Sequence, residues 1–178
     1  MKKEEYAIVL DYLPNGYPLE GKMIPIAQAI GEENLILLEL VPRRGVHLDA
    51  EKKVYIGEGK REEIYYILGR LPREKLTEHA KNHLEKFISD AVKKREAEFV
   101  DFFNKAEAIN KRVHQIELLP GLGKKYTKDI VEQRNIKEFV SFEDIKKRIP
   151  SLPFPEKAVE KRIFQELTKF ERYNLFTK

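Results

Sequence analysis

The chain contains no cysteine and no tryptophan among its 178 residues. Without cysteine it can form neither a disulfide nor a thiolate site for zinc or an iron–sulfur cluster. It also lacks any run of about twenty apolar residues that could span a bilayer. The first residues, MKKEEYAIVLDY, lack the apolar segment of a signal peptide. These absences predict a cytoplasmic protein with no membrane partner.

Charge is abundant and unevenly distributed. Residues 1–104 hold 17 Lys and Arg against 19 Asp and Glu, whereas residues 105–178 hold 17 against 11. The net charge of +4 therefore comes from the C-terminal half. A basic surface favours polyanions such as nucleic acid. The alternative is that these charged residues only form a solvated surface and bind no partner.

The first 72 residues have the pattern of a small β domain. Short β-type runs alternate with turn sequences such as Pro14-Asn15-Gly16 and Gly57-Glu58-Gly59. The predicted strands cover residues 6–13, 24–30, 35–41, 54–57 and 63–68. Short strands with open edges invite aggregation, and closure into a barrel removes the edges. We expect a small OB-like barrel over residues 1–72, with an open sheet as the alternative.

Residues 73–104 are predicted to form a linking helix. No Gly or Pro interrupts the chain between Arg73 and Leu119, and apolar residues recur every three or four positions. Thr77 is a candidate N-cap. A helix over Thr77–Asn104 would be about 42 Å long at 1.5 Å per residue.

The segment Leu118-Leu119-Pro120-Gly121-Leu122-Gly123-Lys124-Lys125 is the most informative part of the chain. Its two glycines permit a tight turn and close approach of another molecule to the backbone. We expect helices at Lys111–Leu119 and Lys124–Arg134, with Leu122 as the apolar plug between the glycines. This pattern resembles the helix-hairpin-helix family, except that Thr127 stands where that family usually has alanine.

A second, degenerate hairpin is predicted to follow. Ser141 could cap a helix over residues 141–149, and residues 156–168 have the apolar spacing of its partner helix. The connecting loop, residues 150–155, has three prolines and no glycine. Proline has no N–H to offer a phosphate, so we interpret this copy as scaffold. The predicted fold class is α+β: an OB-like barrel, a long helix, and an all-α tandem helix-hairpin-helix domain over residues 105–178.

The whole chain resembles an uncharacterised archaeal-type family of predicted RNA-binding proteins. That family joins an OB-like N-terminal domain to paired helix-hairpin-helix motifs. The resemblance is carried by residues 54–61, 99–106, 114–125 and 141–145. It implies a general nucleic-acid role, with RNA favoured, but no reaction or substrate. The residues themselves do not distinguish RNA from DNA.

We expect non-sequence-specific binding of nucleic acid at the glycine turn. The free N–H groups at the start of the second helix, and its positive dipole end, suit a phosphate. Side-chain cations would add charge at the same edge. The predicted binding residues are Gly121, Leu122, Gly123, Lys124, Lys125, Lys128, Lys111 and Arg112. Phosphate contacts fix position without reading bases.

A second binding surface is possible in the N-terminal domain. Basic residues next to tyrosines are typical of grooves that bind single strands, although strand tyrosines are as often half-buried core. The residues of this candidate surface are Arg43, Arg44, Tyr55, Lys60 and Arg61.

Other functions stay open. A DNA repair or recombination accessory role, or an interaction module on the ribosome or a repair complex, would fit the same motifs. A glycosylase would need a catalytic Lys or Asp, for which Lys124 and Asp129 qualify only by type. A nuclease would need clustered carboxylates such as Asp101, Glu107 and Glu117. His79 and His83 have zinc-compatible spacing but no third ligand. We therefore predict no catalytic residue, no metal and no cofactor.

Overall fold

The computed structural model describes residues 3–21 and 23–178. The strands are β1 (Tyr6–Leu13), β2 (Ile26–Gly31), β3 (Leu37–Pro42), β4 (Lys53–Tyr55) and β5 (Ile64–Arg70). The helices are α1 (Glu78–Lys94), α2 (Glu96–Lys105), α3 (Lys124–Ile136), α4 (Phe142–Arg148) and α5 (Pro155–Thr168), with 3-10 turns at Arg73–Lys75 and Gln115–Leu118. The chain divides into two compact units. Unit 1 holds the described residues of Met1–Phe87 together with Glu166–Lys178, and unit 2 is Ile88–Gln165.

Unit 1 is built on one curled antiparallel sheet with the strand order β4-β1-β2-β3-β5. Every residue of the central strands β2 and β3 is buried. Side chains of one face, such as Val9, Ala29 and Leu40, form the main apolar cluster together with Leu48. Strand propensity, turn residues and burial agree here, so all five strands lie close to their predicted positions.

The sheet is a half-barrel rather than the expected OB-like barrel. Pairing runs from β4 through β1, β2 and β3 to β5, and no ladder between the described residues joins β5 to β4. β4 has only three residues, because the chain then turns back on the ring of Tyr55. The Tyr55 hydroxyl accepts a hydrogen bond from Gly59 N at 3.0 Å. A Cβ built on Gly57 would lie 2.5 Å from the same hydroxyl.

The start of α1 is tied to the sheet by buried polar groups. Thr77 caps the helix as predicted, its Oγ1 accepting from Ala80 N at 3.0 Å. The same hydroxyl donates to Asp11 Oδ2 at 2.6 Å. Gln28, which is fully buried, accepts from Thr77 N at 3.1 Å and donates to Lys75 O at 2.7 Å. Burial raises the pKa of Tyr17, whose hydroxyl accepts a hydrogen bond from Gln28.

The last residues of unit 1 fold around one carboxylate. Glu166 is 1% exposed. It accepts hydrogen bonds from the backbone N–H groups of Leu175, Phe176 and Thr177 at 2.6 to 3.1 Å, and from Thr177 Oγ1 at 3.0 Å. A buried carboxylate with this many donors satisfies the desolvation requirement that burial imposes. This one carboxylate therefore binds three successive residues of the segment after α5, and Arg70 Nη1 also donates to Lys178 O at 3.3 Å.

Unit 2 packs its helices around Phe103, Ile116, Leu119 and Ile130, all of which are at most 1% exposed. Polar side chains of unit 2 form hydrogen bonds with backbone groups near the ends of its helices. Asn104 exchanges two hydrogen bonds with the backbone of Phe139, at 2.8 and 2.9 Å. Arg134 donates to the carbonyls of Phe103 and Ala106 at the end of α2, at 3.1 and 2.7 Å. Such donors satisfy carbonyls that a helix end leaves free.

Two predicted helices differ from the structure. The expected helix over Thr77–Asn104 is interrupted at Arg95, which has φ −110° and ψ 34°. The expected helix at Lys111–Leu119 is a loop followed by one 3-10 turn. Asn110 Oδ1 accepts from the N–H groups of Arg112 and Val113 at 2.8 and 3.0 Å, and these contacts replace helical hydrogen bonds.

The predicted fold class is therefore wrong. Over the described residues the protein has a mixed α and β fold with an open, curled sheet and five helices, and not an OB barrel followed by an all-α tandem helix-hairpin-helix domain. The helices α3, α4 and α5 do lie where the spacing predicted them, and Ser141 caps α4 by accepting from Asp144 N at 2.9 Å. Within the residues that the structure describes, no helix has the length and apolar character needed to cross a bilayer.

Candidate nucleic-acid interface

The glycine turn of unit 2 exposes its backbone. Gly121 has φ +83°, a conformation that side chains other than glycine rarely adopt. Gly123 is the N-cap of α3, with φ −86°. Between them Leu122 is 2% exposed, and its N–H donates to Leu119 O at 3.1 Å. Leu122 is therefore the buried plug that the sequence predicted, and both glycines face outward as exposed residues.

The first turn of α3 carries unused donors. The backbone N–H groups of Gly123, Lys124, Lys125 and Tyr126 have no acceptor within residues 3–21 and 23–178. No side chain caps the helix, and its first turn contains no acidic residue. Neither a capping side chain nor a carboxylate of the first turn therefore neutralises the positive end of the helix dipole. This end of α3 can accept an anion.

Thr127 fixes the geometry of the turn from inside. Its hydroxyl donates to Gly123 O at 3.0 Å, and its backbone N–H donates to the same carbonyl at 3.0 Å. The side chain is 8% exposed. Both bonds hold the carbonyl of Gly123 toward the helix, so the N–H groups of the following residues are left at the outer surface. The threonine that departs from the helix-hairpin-helix pattern thus has its own structural role.

Exposed cations surround these donors. Lys124 and Lys125 are exposed, and neither forms an ion pair within the described part of the chain. Lys128 is also exposed and lies 3.9 Å from Glu132 Oε1, a weak contact at the surface. The structure therefore places the three predicted lysines of α3 on its first two turns, next to the glycines.

Lys111 and Arg112 lie in a loop rather than on the predicted helix. The loop is closed by backbone bonds from Ile109 N to Val113 O and from Gln115 N to Glu107 O, at 2.8 and 2.9 Å. Both cationic side chains are exposed. The loop leads directly into the 3-10 turn at Gln115–Leu118, which precedes the glycines.

His114 starts that 3-10 turn through a reciprocal cap. Its Nδ1 accepts from Ile116 N at 3.1 Å, and its own N–H donates to Glu117 Oε2 at 2.7 Å. Burial, with a smaller contribution from the charge of Arg134, lowers the pKa of His114 below its usual value of 6.5. The neutral imidazole is the form that can accept the hydrogen bond from Ile116.

The loop between α4 and α5 supports the turn. The hydroxyl of Tyr126 donates to Ser151 O at 2.8 Å. A Cβ built on Gly121 would lie 3.8 Å from Cγ of Pro153. Sequence reasoning treated this loop as scaffold, and missed that it contacts the glycine turn. The available signal was the pattern Pro153-Phe154-Pro155, an aromatic residue in a stiff loop.

The second predicted surface belongs to unit 1. Arg43 Nε donates to Arg61 O, and Arg61 Nε donates to Gly57 O, both at 2.8 Å. The structure therefore brings these two arginines together. The hydroxyl of Tyr55 accepts the hydrogen bond from Gly59 N, and its ring packs edge-on against that of Tyr6 with the centroids 5.4 Å apart.

The other members of that surface contribute less to a common site. Lys60 lies 3.5 Å from Glu62, and Arg44 is exposed in the loop after β3. Because the two backbone-bound arginines have a structural role, this surface offers fewer available donors than the glycine turn.

The residues considered for catalysis do not form a common site. Asp101 pairs with Lys105 at 2.8 Å, and Glu117 is bound to the N–H of His114. The rings of His79 and His83 lie 4.5 Å apart, but within the described ranges no three His, Cys, Asp or Glu side chains are grouped so that they could hold a metal ion.

Comparison with known proteins places the chain in a family. A family model described as "Protein of unknown function (DUF655)" matches residues 3–178. The Uncharacterized protein MJ0038 of Methanocaldococcus jannaschii is 42% identical over 179 residues, which cover 99% of this chain and 81% of that protein. The crystal structure of Af1531 from Archaeoglobus fulgidus is similar with a TM-score of 0.84 and 42% identity, covering 98% of this chain and 100% of that one. The relatives confirm the resemblance to an uncharacterised archaeal-type family, and this chain belongs to DUF655.

Proposed function

We propose that the protein binds the sugar-phosphate backbone of nucleic acid without sequence specificity, with RNA as the favoured form. The observation that carries the proposal is the first turn of α3, where four backbone N–H groups lack an acceptor in the described structure and no acidic side chain occupies the end of the helix dipole. Asp and Glu are preferred in the first turn of a helix. A first turn that has lysines and no acidic residue therefore suits an external anion.

Charge supports a polymeric anion rather than a single small one. Five cationic residues, but only one acidic residue, lie between positions 111 and 128. The cations are Lys111, Arg112, Lys124, Lys125 and Lys128. A single phosphate at the glycine turn would meet the amides and Lys124 and Lys125, while the loop of Lys111 and Arg112 would extend the contact along a strand. Cations spread in this way favour a polyanion.

The type of contact supports binding that does not depend on sequence. Backbone amides and lysine ammonium groups recognise phosphate oxygens, and these are the same in every nucleotide. A methyl group or larger side chain at Gly123 would stand between the helix start and the phosphate. The open space around Gly123, where a built Cβ meets nothing within 4 Å, is therefore space that a backbone phosphate could use.

Substitution of Gly123 tests the proposal. Gly123→Asp supplies a side-chain cap and a negative charge to the free N–H groups, so we expect the thermal stability to be kept or slightly raised. The same carboxylate competes with phosphate, and we expect affinity for a labelled oligonucleotide to fall at least about tenfold, as for loss of one charge-assisted hydrogen bond. Fluorescence anisotropy with matched RNA and DNA strands measures the affinity, and a melting curve measures stability.

Gly123→Ala is the matched variant. Its backbone φ of −86° suits alanine and its Cβ has room, so the fold should be retained. It adds bulk without charge and should weaken binding less than Gly123→Asp does. If the wild-type protein binds neither RNA nor DNA, or if Gly123→Asp binds as well as the wild type, the proposal is wrong. Equal affinity for RNA and DNA would reject only the preference for RNA.

A further inference from the structure

Unit 2 contains an apolar cavity of about 590 Å³ beside the loop that joins α4 to α5. Its apolar lining comes from α1, α4 and this loop, and consists of Val92, Phe142, Pro150 and Phe154. Small-molecule sites are commonly cavities of this kind, in which apolar walls carry a few polar groups at the rim.

Phe154 is the unusual member of this lining. Its side chain is 59% exposed, although phenylalanine is normally buried. The neighbouring Leu152 is fully buried, and Lys146 Nζ donates to Leu152 O. The same ammonium group lies 4.9 Å from the centroid of the Phe154 ring. Prolines on both sides of Phe154 restrict the backbone further. The ring is thus exposed and held in position at the same time.

The rim of the cavity is electrically balanced. The cavity lining also includes three lysines and three glutamates: Lys93, Lys146, Lys147, Glu96, Glu143 and Glu156. Of these, Glu143 pairs with Lys147 at 3.2 Å, and Glu96 accepts from Phe142 N at 3.0 Å. A balanced rim around an apolar floor suits a flat, uncharged ring with polar edges. It is a poorer site for a phosphate, which the lysine-rich turn serves better.

The cavity loop also contacts the glycine turn. Pro153 lies against Gly121, and Ser151 accepts a hydrogen bond from Tyr126 on the first turn of α3. Phe154 is the next residue after Pro153, and successive Cα atoms are 3.8 Å apart. The loop that carries Phe154 therefore contacts the turn one residue before the ring, so a strand bound at the turn would lie next to this loop.

We propose that the cavity beside Phe154 receives an unpaired nucleobase of the strand that the glycine turn holds by its phosphates. The inference rests on the proposed function and adds to it a preference for single strands. A base in a duplex is stacked and paired, and it cannot enter the cavity without being extruded. Stacking on an aromatic side chain tolerates any base, so the preference is for strandedness and not for sequence.

The absence of tryptophan from the chain gives a direct test. Phe154→Trp creates a single tryptophan at the proposed site and keeps a stacking surface. We expect a single strand to quench its fluorescence and a duplex of the same sequence to leave it unchanged. Phe170→Trp is the matched control, since Phe170 is 84% exposed and does not line the cavity. Quenching of both tryptophans, or of neither, would overturn the inference.

Binding measurements on the full chain provide the second arm. Phe154→Ala should lower affinity for the single strand by about fivefold to a hundredfold, which is the usual effect of removing one stacking partner. Its affinity for the duplex should stay within about twofold, because phosphate contacts are untouched. A melting curve verifies folding. If Phe154→Ala weakens the binding of both oligonucleotides equally, or of neither, while Gly123→Asp lowers affinity at least about tenfold, this inference fails and the proposed function stands. If the wild type binds neither oligonucleotide, both fail.

Discussion

The salt dependence of binding follows from the number of cations at the glycine turn. Each phosphate that a protein neutralises contributes about −0.9 to the slope of log affinity against log salt for duplex DNA, and about −0.7 for single strands. Five cations lie between residues 111 and 128. If all engage, the expected slopes are about −4.5 and about −3.5. The duplex affinity should then fall about 500-fold between 50 and 200 mM salt.

Removing two of these cations changes the slope by a calculable amount. The double variant Lys124→Ala/Lys125→Ala keeps three, and we expect slopes of about −2.7 for the duplex and about −2.1 for the single strand. The duplex affinity should then fall only about 40-fold over the same salt range. Both side chains are exposed, so the stability of the fold should be nearly unchanged. Anisotropy titrations at four or more salt concentrations give the slopes.

Lys137 provides the control. It is exposed and directly follows α3, whereas Lys124 and Lys125 open that helix. The 13 residues of α3 separate the two ends by about 20 Å at 1.5 Å per residue. Lys137→Ala should therefore keep the wild-type slope. A wild-type slope shallower than about −1 would refute the count of phosphate contacts. A double variant with an unchanged slope would show that the phosphates lie elsewhere.

Three further predictions concern the fold around the site and in unit 1. Glu166→Ala leaves buried donors of the tail without an acceptor, so the free energy of unfolding in urea should fall by about 3 kcal/mol. Gly31→Ala would make a Cβ clash with Cδ of Glu4, and should lower the melting temperature because Glu4 must leave its position. The pKa of His114 is lowered in the folded state. As the pH falls, the unfolded chain therefore takes up a proton on this imidazole before the folded chain does. Stability should therefore decline as pH falls below 6.5, measured by melting from pH 7.5 to pH 5.

Each of these predictions has its own control. Glu85 is exposed, and Glu85→Ala should leave the unfolding energy nearly unchanged. In a Glu4→Ala background the cost of Gly31→Ala should shrink, since the atom that clashes is gone; additive effects would contradict the geometry. His114→Asn retains a capping oxygen but does not titrate. An acid-induced loss of stability as large in this variant as in the wild type would assign the effect to other groups.

Local signals in the sequence were sufficient for most elements. Five strands, the cap of α1 at Thr77, the cap of α4 at Ser141 and the helices α3 to α5 follow from propensity, turn residues and periodicity. The glycine turn was also predictable, because two glycines around one apolar residue form a local pattern. Leu122, the apolar residue, is buried as expected. These features depend on residues within a few positions of one another.

The features that failed depend on contacts that periodicity does not encode. The apolar spacing of Val113, Ile116 and Leu119 favours a helix, yet Asn110 binds the N–H groups that would continue it. The prediction of a closed barrel was wrong. The hydroxyl of Tyr55 accepts a hydrogen bond from the turn that follows β4, and β4 ends after three residues. In both places a polar side chain competes with regular backbone pairing, and only the folded structure shows which one prevails.

The anchoring of residues 175–177 by Glu166 has a consequence for the order in which the protein matures. Unit 1 is formed by the described residues of Met1–Phe87 together with Glu166–Lys178, and the whole of unit 2 lies between them in the sequence. A growing polypeptide therefore finishes the sheet early but completes that unit only after the inserted helices have been synthesised. During this interval unit 1 lacks Glu166 and the segment that this carboxylate binds, although all residues of unit 2 have been synthesised. Loss of Glu166–Lys178 would therefore take away part of the unit that holds the first strands of the chain, while every residue of unit 2 would still be present.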